Sequence, residues 1–149
     1  MTDELYSLLA ALDGIQQSPR YHPEGDALFH SLQVFELATR GTEDRILWAA
    51  ALFHDVGKAI RGADHDEVGA DLLEGLLPDR AVWLVRHHLD LLGDRQRTRH
   101  RLRGTPELLD LERLRRWDLG GRNPNARVMS ASDALGMLLD DGRFDPGQP

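Results

Sequence analysis

Apolar residues recur at intervals of three and four along nearly the whole chain, and this spacing restricts the possible folds more than any other feature. A repeat of about 3.6 residues places apolar side chains on one face of an α-helix, and no convincing strand-like alternation is present. The 149 residues suffice for one domain with its own core. We therefore predict an all-α, compact single-domain helical bundle over residues 1–149. The predicted helices lie near 2–12, 26–39, 43–55, 65–77, 79–92, 106–118 and 125–139.

Polar residues at the predicted helix starts support three of these boundaries. Thr42 precedes two acidic residues, Asp64 and Glu67 have the spacing of a capping box, and Thr105 stands before Pro106. Such side chains accept hydrogen bonds from backbone N–H groups that the first helical turn leaves without a partner. We therefore predict that these residues cap the helices that follow them.

Composition and apolar pattern argue against several classes of protein. The sequence has no cysteine, so a disulfide scaffold is excluded and any metal must bind through nitrogen and oxygen. There is no basic leader with a long apolar run and no apolar stretch of about 18 residues, so we expect a cytoplasmic protein without a membrane partner. The net charge of −7 argues against a general nucleic-acid coat protein. The polar stretch 140–149 predicts a frayed tail.

Histidines lie on the apolar faces of four different predicted helices. They are His30, His54, His65 and His88. A single inward histidine is most simply a core residue with hydrogen-bond partners, but each buried imidazole needs partners for both ring nitrogens. An unsatisfied nitrogen costs about 1–3 kcal/mol, so four unrelated buried histidines in a small core are improbable. A shared metal centre would satisfy all four together.

Acidic residues complete this candidate metal site. Asp55 follows His54 directly, and Asp118 stands four and seven residues after two apolar residues, so it also faces inward. Histidine and carboxylate ligands without sulfur suit Mn, Fe, Co, Ni, Zn or, less well, Mg. Asp133 in "SASDALG" competes with Asp118 as the last ligand. We prefer Asp118 because "GGR" follows it closely and because it is nearer to His88 in the sequence.

The order of these residues resembles the HD-domain superfamily of metal-dependent phosphohydrolases. The similarity covers roughly residues 22–122. The segment "LFHDVGK" resembles the superfamily signature, and "DLGGR" resembles its closing Asp-x-x-Gly-Arg motif. The segment "HPEGDALFHS" is similar to the start of the HD portion of bacterial tRNA nucleotidyltransferases.

This resemblance implies which residues would bind metal. His30, His54, Asp55 and Asp118 match the four ligands common to the superfamily, and Asp55 is expected to bridge when two metals are present. The resemblance also implies a catalytic role for Asp55.

Additional histidines match those of binuclear members, which favours two divalent cations per chain. They are His65 and one or both of His87 and His88. His88 lies deeper in the apolar stripe, and His87 is rotated about 100° away from it on an ideal helix. We therefore prefer His88 as a ligand and retain His87 as a ligand or a phosphate contact.

Charged residues near the motifs are candidate substrate contacts. The resemblance implies that Lys58, the only lysine, approaches the phosphate and takes part in catalysis. Arg86, beside the paired histidines, and Arg122, in the closing motif, are further phosphate-binding candidates, and His22 could touch substrate from its loop. For each of these side chains the alternative interpretation is an ordinary polar residue. Asp26 could face the same point as His30, but an acid at a helix N-terminus is the simpler interpretation.

A site with two cations suits phosphate ester hydrolysis. Two metals about 3.5–4 Å apart activate a water for in-line attack and neutralise charge on the phosphoryl oxygens. We therefore predict a phosphomonoesterase or phosphodiesterase that acts on a nucleotide or another small phosphate ester. The alternatives are a metal-containing module that binds a nucleotide or RNA without turnover and, less favoured, a di-iron HD-type oxygenase.

Arginines alternate with other residues in the segment "RQRTRHRLR", which we predict to be part of a loop over residues 93–104. They are Arg95, Arg97, Arg99, Arg101 and Arg103. In an extended segment all five would line one side and could follow the phosphates of a nucleotide or RNA. The alternative is a solvated loop that balances the acidic first half of the chain.

Overall fold

The computed structural model describes residues 2–140, and the elements in this range are helical. The helices are α1 (Thr2–Ala10), α2 (Ala27–Gly41), α3 (Arg45–Phe53), α4 (His65–Leu73), α5 (Asp79–His87), α6 (Asp90–Gly93), α7 (Arg95–Arg101), α8 (Pro106–Gly120) and α9 (Ala131–Leu139), with a 3-10 turn at Val56–Ala59. Within residues 2–140 no β-strand forms, and the one isolated bridge pairs Gln16 with Asp26. The all-α prediction is confirmed. The predicted tail lies outside the described residues apart from Asp140.

The helix α3 occupies the centre of the fold. Every residue from Leu47 to Phe53 is buried, and α3 packs against α2, α5, α8 and α9. Three consecutive alanines at 49–51 allow the neighbouring helices to approach closely. Because α3 is enclosed, the residues just after its C-terminus lie in the interior of the protein. None of the helices in the described range has the length and apolarity needed to span a bilayer.

The helix caps only partly follow the sequence predictions. Thr105 caps α8 as predicted, because its hydroxyl accepts a hydrogen bond from the backbone N–H three residues later. Thr42 does not cap α3: that position belongs to Asp44, whose own N–H donates to the Thr42 hydroxyl. The predicted capping box of Asp64 and Glu67 is also wrong. Asp64 has φ 55° and its side chain accepts no capping hydrogen bond.

The predicted loop over residues 93–104 is wrong, because this segment contains α7. Asp94 caps the helix by accepting a hydrogen bond from the backbone N–H of Arg97. Thr98 is buried, and its hydroxyl donates to the backbone carbonyl of Asp90. One cap and one buried contact therefore stabilise a helix that has no apolar stripe.

The last helix begins later than predicted. Ser130 caps α9, so residues near 125 are not helical. The backbone N–H of Met129 donates to the Glu36 carboxylate on α2, which keeps this connection outside a helix. The connection passes over α2 and brings the chain back to the core.

Candidate metal centre

Four histidines surround the carboxylate of Asp55, a residue that is only 2% exposed. Asp55 Oδ2 lies 3.2 Å from His54 Nε2 and 3.7 Å from His30 Nε2. Asp55 Oδ1 lies 3.2 Å from His65 Nε2 and 3.5 Å from His88 Nε2. The two carboxylate oxygens therefore face two different pairs of imidazoles. We call these four residues the histidine cluster.

Asp118 adds a second carboxylate on the side of His30 and His54. Its Oδ1 atom lies 2.9 Å from His30 Nε2 and 3.5 Å from His54 Nε2. Asp118 is 8% exposed and stands near the end of α8. Arg122 holds this end of the helix, because its Nε donates to the Asp118 backbone carbonyl and its Nη2 lies 3.7 Å from Asp118 Oδ1. The first imidazole pair therefore faces two carboxylates.

The outer nitrogen of each ring in the histidine cluster is fixed by a backbone carbonyl. The Nδ1 atoms of His30, His54, His65 and His88 lie 2.6–2.9 Å from the carbonyl oxygens of Gly121, Ala51, Gly62 and Val85, respectively. A carbonyl oxygen only accepts, so Nδ1 carries the proton, and in the neutral ring the lone pair is on Nε2. All four Nε2 atoms face Asp55. Metal-binding histidines use the same arrangement, in which a hydrogen bond at one nitrogen orients the other.

The inner nitrogens of His54, His65 and His88 are buried and have no hydrogen-bond partner within residues 2–140. They lie close to carboxylate oxygens, but the geometry is not that of a hydrogen bond. Such atoms cost about 1–3 kcal/mol each when left unsatisfied. Nitrogen and oxygen donors around a shared carboxylate fit divalent cations, which would satisfy these nitrogens.

Of the three groups of donor atoms within the described range, one contains His22, Glu24 and His30, and the other two share Asp55. One of these two contains His30 and His54, the other contains His65 and His88, and the atoms in each group lie within 4.8 Å of one another. Because Asp55 presents a different oxygen to each group, the residues could hold two cations with Asp55 between them.

The backbone after α3 brings Asp55 and His65 together. His54 is the last residue of helical geometry after α3, and Asp55 leaves the helix at φ −106° and ψ 9°. The following turn places Gly57 against the start of α4, so closely that a Cβ atom at Gly57 would overlap the carbonyl oxygen of His65. The absence of a side chain at Gly57 therefore allows α4 to carry His65 to Asp55.

We predict that Gly57→Ala lowers the free energy of unfolding by about 2–3 kcal/mol, because the added methyl group meets backbone atoms of α4 that cannot yield easily. Urea denaturation would measure the change. Gly136→Ala is the matched control, since a Cβ there meets no atom within 4 Å and alanine favours a helix. Equal destabilisation by the two substitutions would contradict the close approach at Gly57.

Opposite charges that lie close together shift the pKa values of His54, Asp55 and Asp118. Burial lowers the pKa of His54, but the carboxylates of Asp55 and Asp118 outweigh this effect and raise it to about 10. Burial raises the pKa of Asp55 and of Asp118, yet the imidazoles around them hold both pKa values well below the ordinary range. Without a cation, one proton is therefore retained on His54 between two ionised carboxylates.

Lys58 lies at the edge of the cluster. Its Nζ is 3.1 Å from Asp55 Oδ2 and donates a hydrogen bond to Gln17 Oε1 at 2.5 Å. The side chain is 16% exposed, so the ammonium group can meet a ligand that approaches the cluster. Sequence reasoning did not find Gln17, because no local pattern connects it with a residue 41 positions away.

His22 also reaches the cluster, together with a buried acid. Its ring packs edge-on against that of His30 at 5.1 Å, and its Nδ1 lies 2.6 Å from Glu24 Oε1. Burial lowers the pKa of His22; the Glu24 hydrogen bond opposes this shift and the Lys58 charge adds to it. In the segment before α2, Glu24 rather than Asp26 approaches His30, and Asp26 caps α2, as the simpler interpretation of that residue predicts.

Two predicted site residues point away from the histidine cluster. His87, one position before His88, has its Nδ1 2.8 Å from Asp90 Oδ2 and stacks against Trp83 at 4.4 Å. Arg86 is held by acidic side chains instead of facing the site. Its partners are Glu67, Asp71 and Glu74. Successive residues of a helix point about 100° apart, so the neighbours of an inward histidine face elsewhere.

Asp133, the alternative last ligand, is exposed in the first turn of α9. Within the described range it forms no ion pair with the histidine cluster, whereas Asp118 Oδ1 lies 2.9 Å from His30 Nε2 and 3.5 Å from His54 Nε2. Of the two acids, Asp118 is therefore the one near His30 and His54, and its role as a ligand stays a prediction.

Comparison with known proteins agrees with this geometry. A family model described as HD domain matches residues 28–138. A Multifunctional CCA protein from Hahella chejuensis is 38% identical over 80 residues, which are 49% of this chain and 19% of that protein. A Multifunctional CCA protein from Thioalkalivibrio sulfidiphilus is 35% identical over 100 residues, and the match covers 56% of this chain and 24% of that protein. A Bifunctional uridylyltransferase/uridylyl-removing enzyme from Gluconobacter oxydans is 42% identical over 64 residues, and the match covers 37% of this chain and 7% of that protein. The chain thus corresponds to at most a quarter of these relatives.

Proposed function

Because the chain belongs to the HD domain family, we propose that it is a metal-dependent phosphohydrolase acting on a nucleotide or another small phosphate ester. One observation carries the proposal: four imidazoles, each fixed at Nδ1 by a backbone carbonyl, direct Nε2 toward the same buried carboxylate. Within residues 2–140, the inner nitrogens of His54, His65 and His88 have no hydrogen-bond partner, and a bound cation would satisfy them. A structural core histidine would have both ring nitrogens satisfied by protein groups.

The two donor groups would hold two cations. His30, His54 and Asp118 would bind one, His65 and His88 the other, and Asp55 both. Divalent cations, whether Mn, Fe, Co, Ni, Zn or Mg, lower the pKa of a bound water and neutralise charge on a phosphoryl group.

Side chains at the rim would orient the phosphate ester. Lys58, 3.1 Å from Asp55 Oδ2, would donate a charge-assisted hydrogen bond to a phosphoryl oxygen. Arg122 holds Asp118 and the backbone carbonyl of Tyr21, and thereby keeps the loop with His22 against α8. We therefore propose that Lys58 contacts the substrate, and that Arg122 mainly positions Asp118 and the loop with His22.

The names of the relatives favour a nucleotide or RNA ligand. The CCA proteins and the uridylyltransferase/uridylyl-removing enzyme are named for reactions that involve nucleotides. The decisive experiment is turnover of p-nitrophenyl phosphate and of a nucleotide panel with added Mn²⁺, Ni²⁺, Co²⁺ or Mg²⁺. Hydrolysis with at least one metal is expected. No turnover with any metal, together with tight nucleotide or RNA binding, would instead identify a binding module, and oxygen consumption with a polyol would identify an oxygenase.

The pKa of His54 predicts how metal affinity depends on pH. This pKa is raised to about 10 in the metal-free site, so the ring is protonated at pH 7 and must lose the proton before Nε2 can bind a cation. We expect the Mn²⁺ affinity to rise about tenfold per pH unit between pH 7 and 9. Calorimetric titration in two buffers with different ionisation enthalpies would count about one released proton. Affinity that does not change with pH would contradict the role of His54.

A further inference from the structure

Because residues 95–101 form the helix α7, the alternating arginines of this segment lie on different faces. Arg95 and Arg99 are four residues apart and lie on one side, toward α8. Arg97 instead pairs with Asp94 at 3.3 Å, and Arg101 has its Nη2 3.3 Å from a carboxylate oxygen of α6. The extended track expected from the sequence is therefore wrong, and a more compact arrangement replaces it.

Arginines from α7 and α8 line one cavity of about 310 Å³. They are Arg95, Arg99, Arg115 and Arg116, and we call this cavity the arginine pocket. Among the described residues, the one acidic residue in the lining is Glu112, which pairs with Arg99 at 3.1 Å. Arg95 and Arg116 form no ion pair within residues 2–140. Positive charge thus accumulates here, although the chain has a net charge of −7.

Such a pocket favours an anion. Four guanidinium groups around one cavity repel each other, and a bound anion relieves this repulsion. The planar guanidinium fork matches phosphate oxygens, with two parallel hydrogen bonds per group. The volume is within the lower range of ligand sites and exceeds what a single water or chloride needs.

The arginine pocket begins beside the candidate metal centre. Arg115 lines the pocket, and its Nη1 lies 3.8 Å from Asp118 Oδ2. An α-helix rises about 1.5 Å per residue, so the lining residues Arg115 and Glu112 precede Asp118 by about 4.5 and 9 Å along the axis of α8. One ligand can therefore place a phosphate at the histidine cluster and another in the pocket.

We infer that the arginine pocket binds a second phosphate group of the molecule whose phosphate ester is hydrolysed. The inference rests on the proposed function and narrows its substrate to a nucleotide or oligonucleotide with at least two phosphate groups. The second group belongs either to a polyphosphate chain or to a neighbouring phosphodiester, since both present the same oxygens.

Binding without turnover tests this inference. In EDTA, the affinities for ATP and for a fluorescein-labelled trinucleotide would be measured by calorimetry and fluorescence anisotropy. Arg95→Glu/Arg116→Glu should weaken the binding of at least one ligand tenfold or more. It should also reduce the slope of log affinity against log salt concentration by about one to two. Arg97→Glu, a single substitution of the same type at an exposed arginine that pairs with Asp94, should alter affinity less than about twofold.

The ligands distinguish the two phosphate sources. Tighter binding of ATP indicates a polyphosphate chain, and tighter binding of the trinucleotide indicates a phosphodiester; either supports the pocket. Unchanged affinity in the double variant, an equal loss in Arg97→Glu, or no binding at millimolar concentration would overturn it.

Turnover of p-nitrophenyl phosphate, which has a single phosphate, separates this inference from the proposed function. The double variant should retain its kcat/KM within about twofold, and an equal loss on this substrate would overturn the inference. A different result is that the wild-type protein hydrolyses no substrate with any metal while the double variant still binds more weakly than Arg97→Glu. In that case the arginine pocket binds phosphate and the proposed function is wrong.

Discussion

Replacing Asp55 by alanine is expected to remove both metal ions and to lower turnover at least about 1,000-fold, which corresponds to about 4 kcal/mol of transition-state stabilisation. Asp55 is the only residue common to both donor groups of the histidine cluster within the described range. Its two oxygens face different imidazole pairs at 3.2–3.7 Å. Without this anion the two donor groups would lose the ligand that they share, and the site would lose the water activation that two cations would supply.

Metal content, turnover of p-nitrophenyl phosphate and circular dichroism would measure this result. Asp55→Asn keeps the side-chain shape but not the charge, so it should lose metal and activity in the same way while the helices persist. Asp133→Ala is the matched control, because Asp133 is exposed and its substitution should leave both metals in place. Full activity in Asp55→Asn would show that the site lies elsewhere.

The second large effect is expected from His88→Ala, which should lower the metal content from two ions to about one and turnover at least about 100-fold. His88 is 5% exposed, and its Nε2, 3.5 Å from Asp55 Oδ1, has no hydrogen-bond partner in the described part of the chain. The neighbouring substitution His87→Ala should change turnover less than about threefold, because His87 contacts Trp83 and Asp90 instead.

The pair His87 and His88 is informative because the two residues have the same chemistry and adjacent positions. Elemental analysis and steady-state kinetics of both variants would be compared at the same metal concentration. His65→Ala removes another ligand of the same group and should reproduce the loss if His88→Ala folds poorly. Equal losses for His87→Ala and His88→Ala, or a reversed order, would contradict the binuclear assignment.

Helical periodicity was sufficient to predict the inward direction of the cluster residues. His30, His54, His65, His88 and Asp118 each follow the apolar stripe of one helix, and the stripes of packed helices meet in the core. The direction in which a side chain points from its own helix depends on the local spacing of residues, so it can be predicted from a single sequence. The preference for His88 over His87 follows from the same argument, and the structure places His88 beside Asp55.

Tertiary contacts could not be predicted in the same way. Arg86 is next to the paired histidines in sequence, but two acids of α4 and Glu74, which follows this helix, surround it because α4 packs against α5. Glu24 is buried against His30 through a loop whose course depends on the rest of the fold. Three of the four Nδ1 contacts join residues three positions apart, whereas His30 reaches a carbonyl 91 positions away.

Apolar periodicity also failed to predict the helix α7. Its sequence, RQRTRHR, has no apolar stripe, so periodicity gives no helical signal. The helix forms because Asp94 caps it and Thr98 is buried against α6. Because the segment is helical and not extended, the five arginines do not form one line. Arg95 and Arg99 line a pocket on one face of α7, and Arg97 and Arg101 form ion pairs on another.

The metal content of the wild-type protein tests the central claim most directly. After incubation with Mn²⁺ and removal of free ions, elemental analysis should give about two ions per chain, since two donor groups share Asp55. A content below about 0.2 ions per chain with Mn²⁺, Fe²⁺, Co²⁺, Ni²⁺, Zn²⁺ and Mg²⁺ alike would contradict a metal-dependent phosphohydrolase.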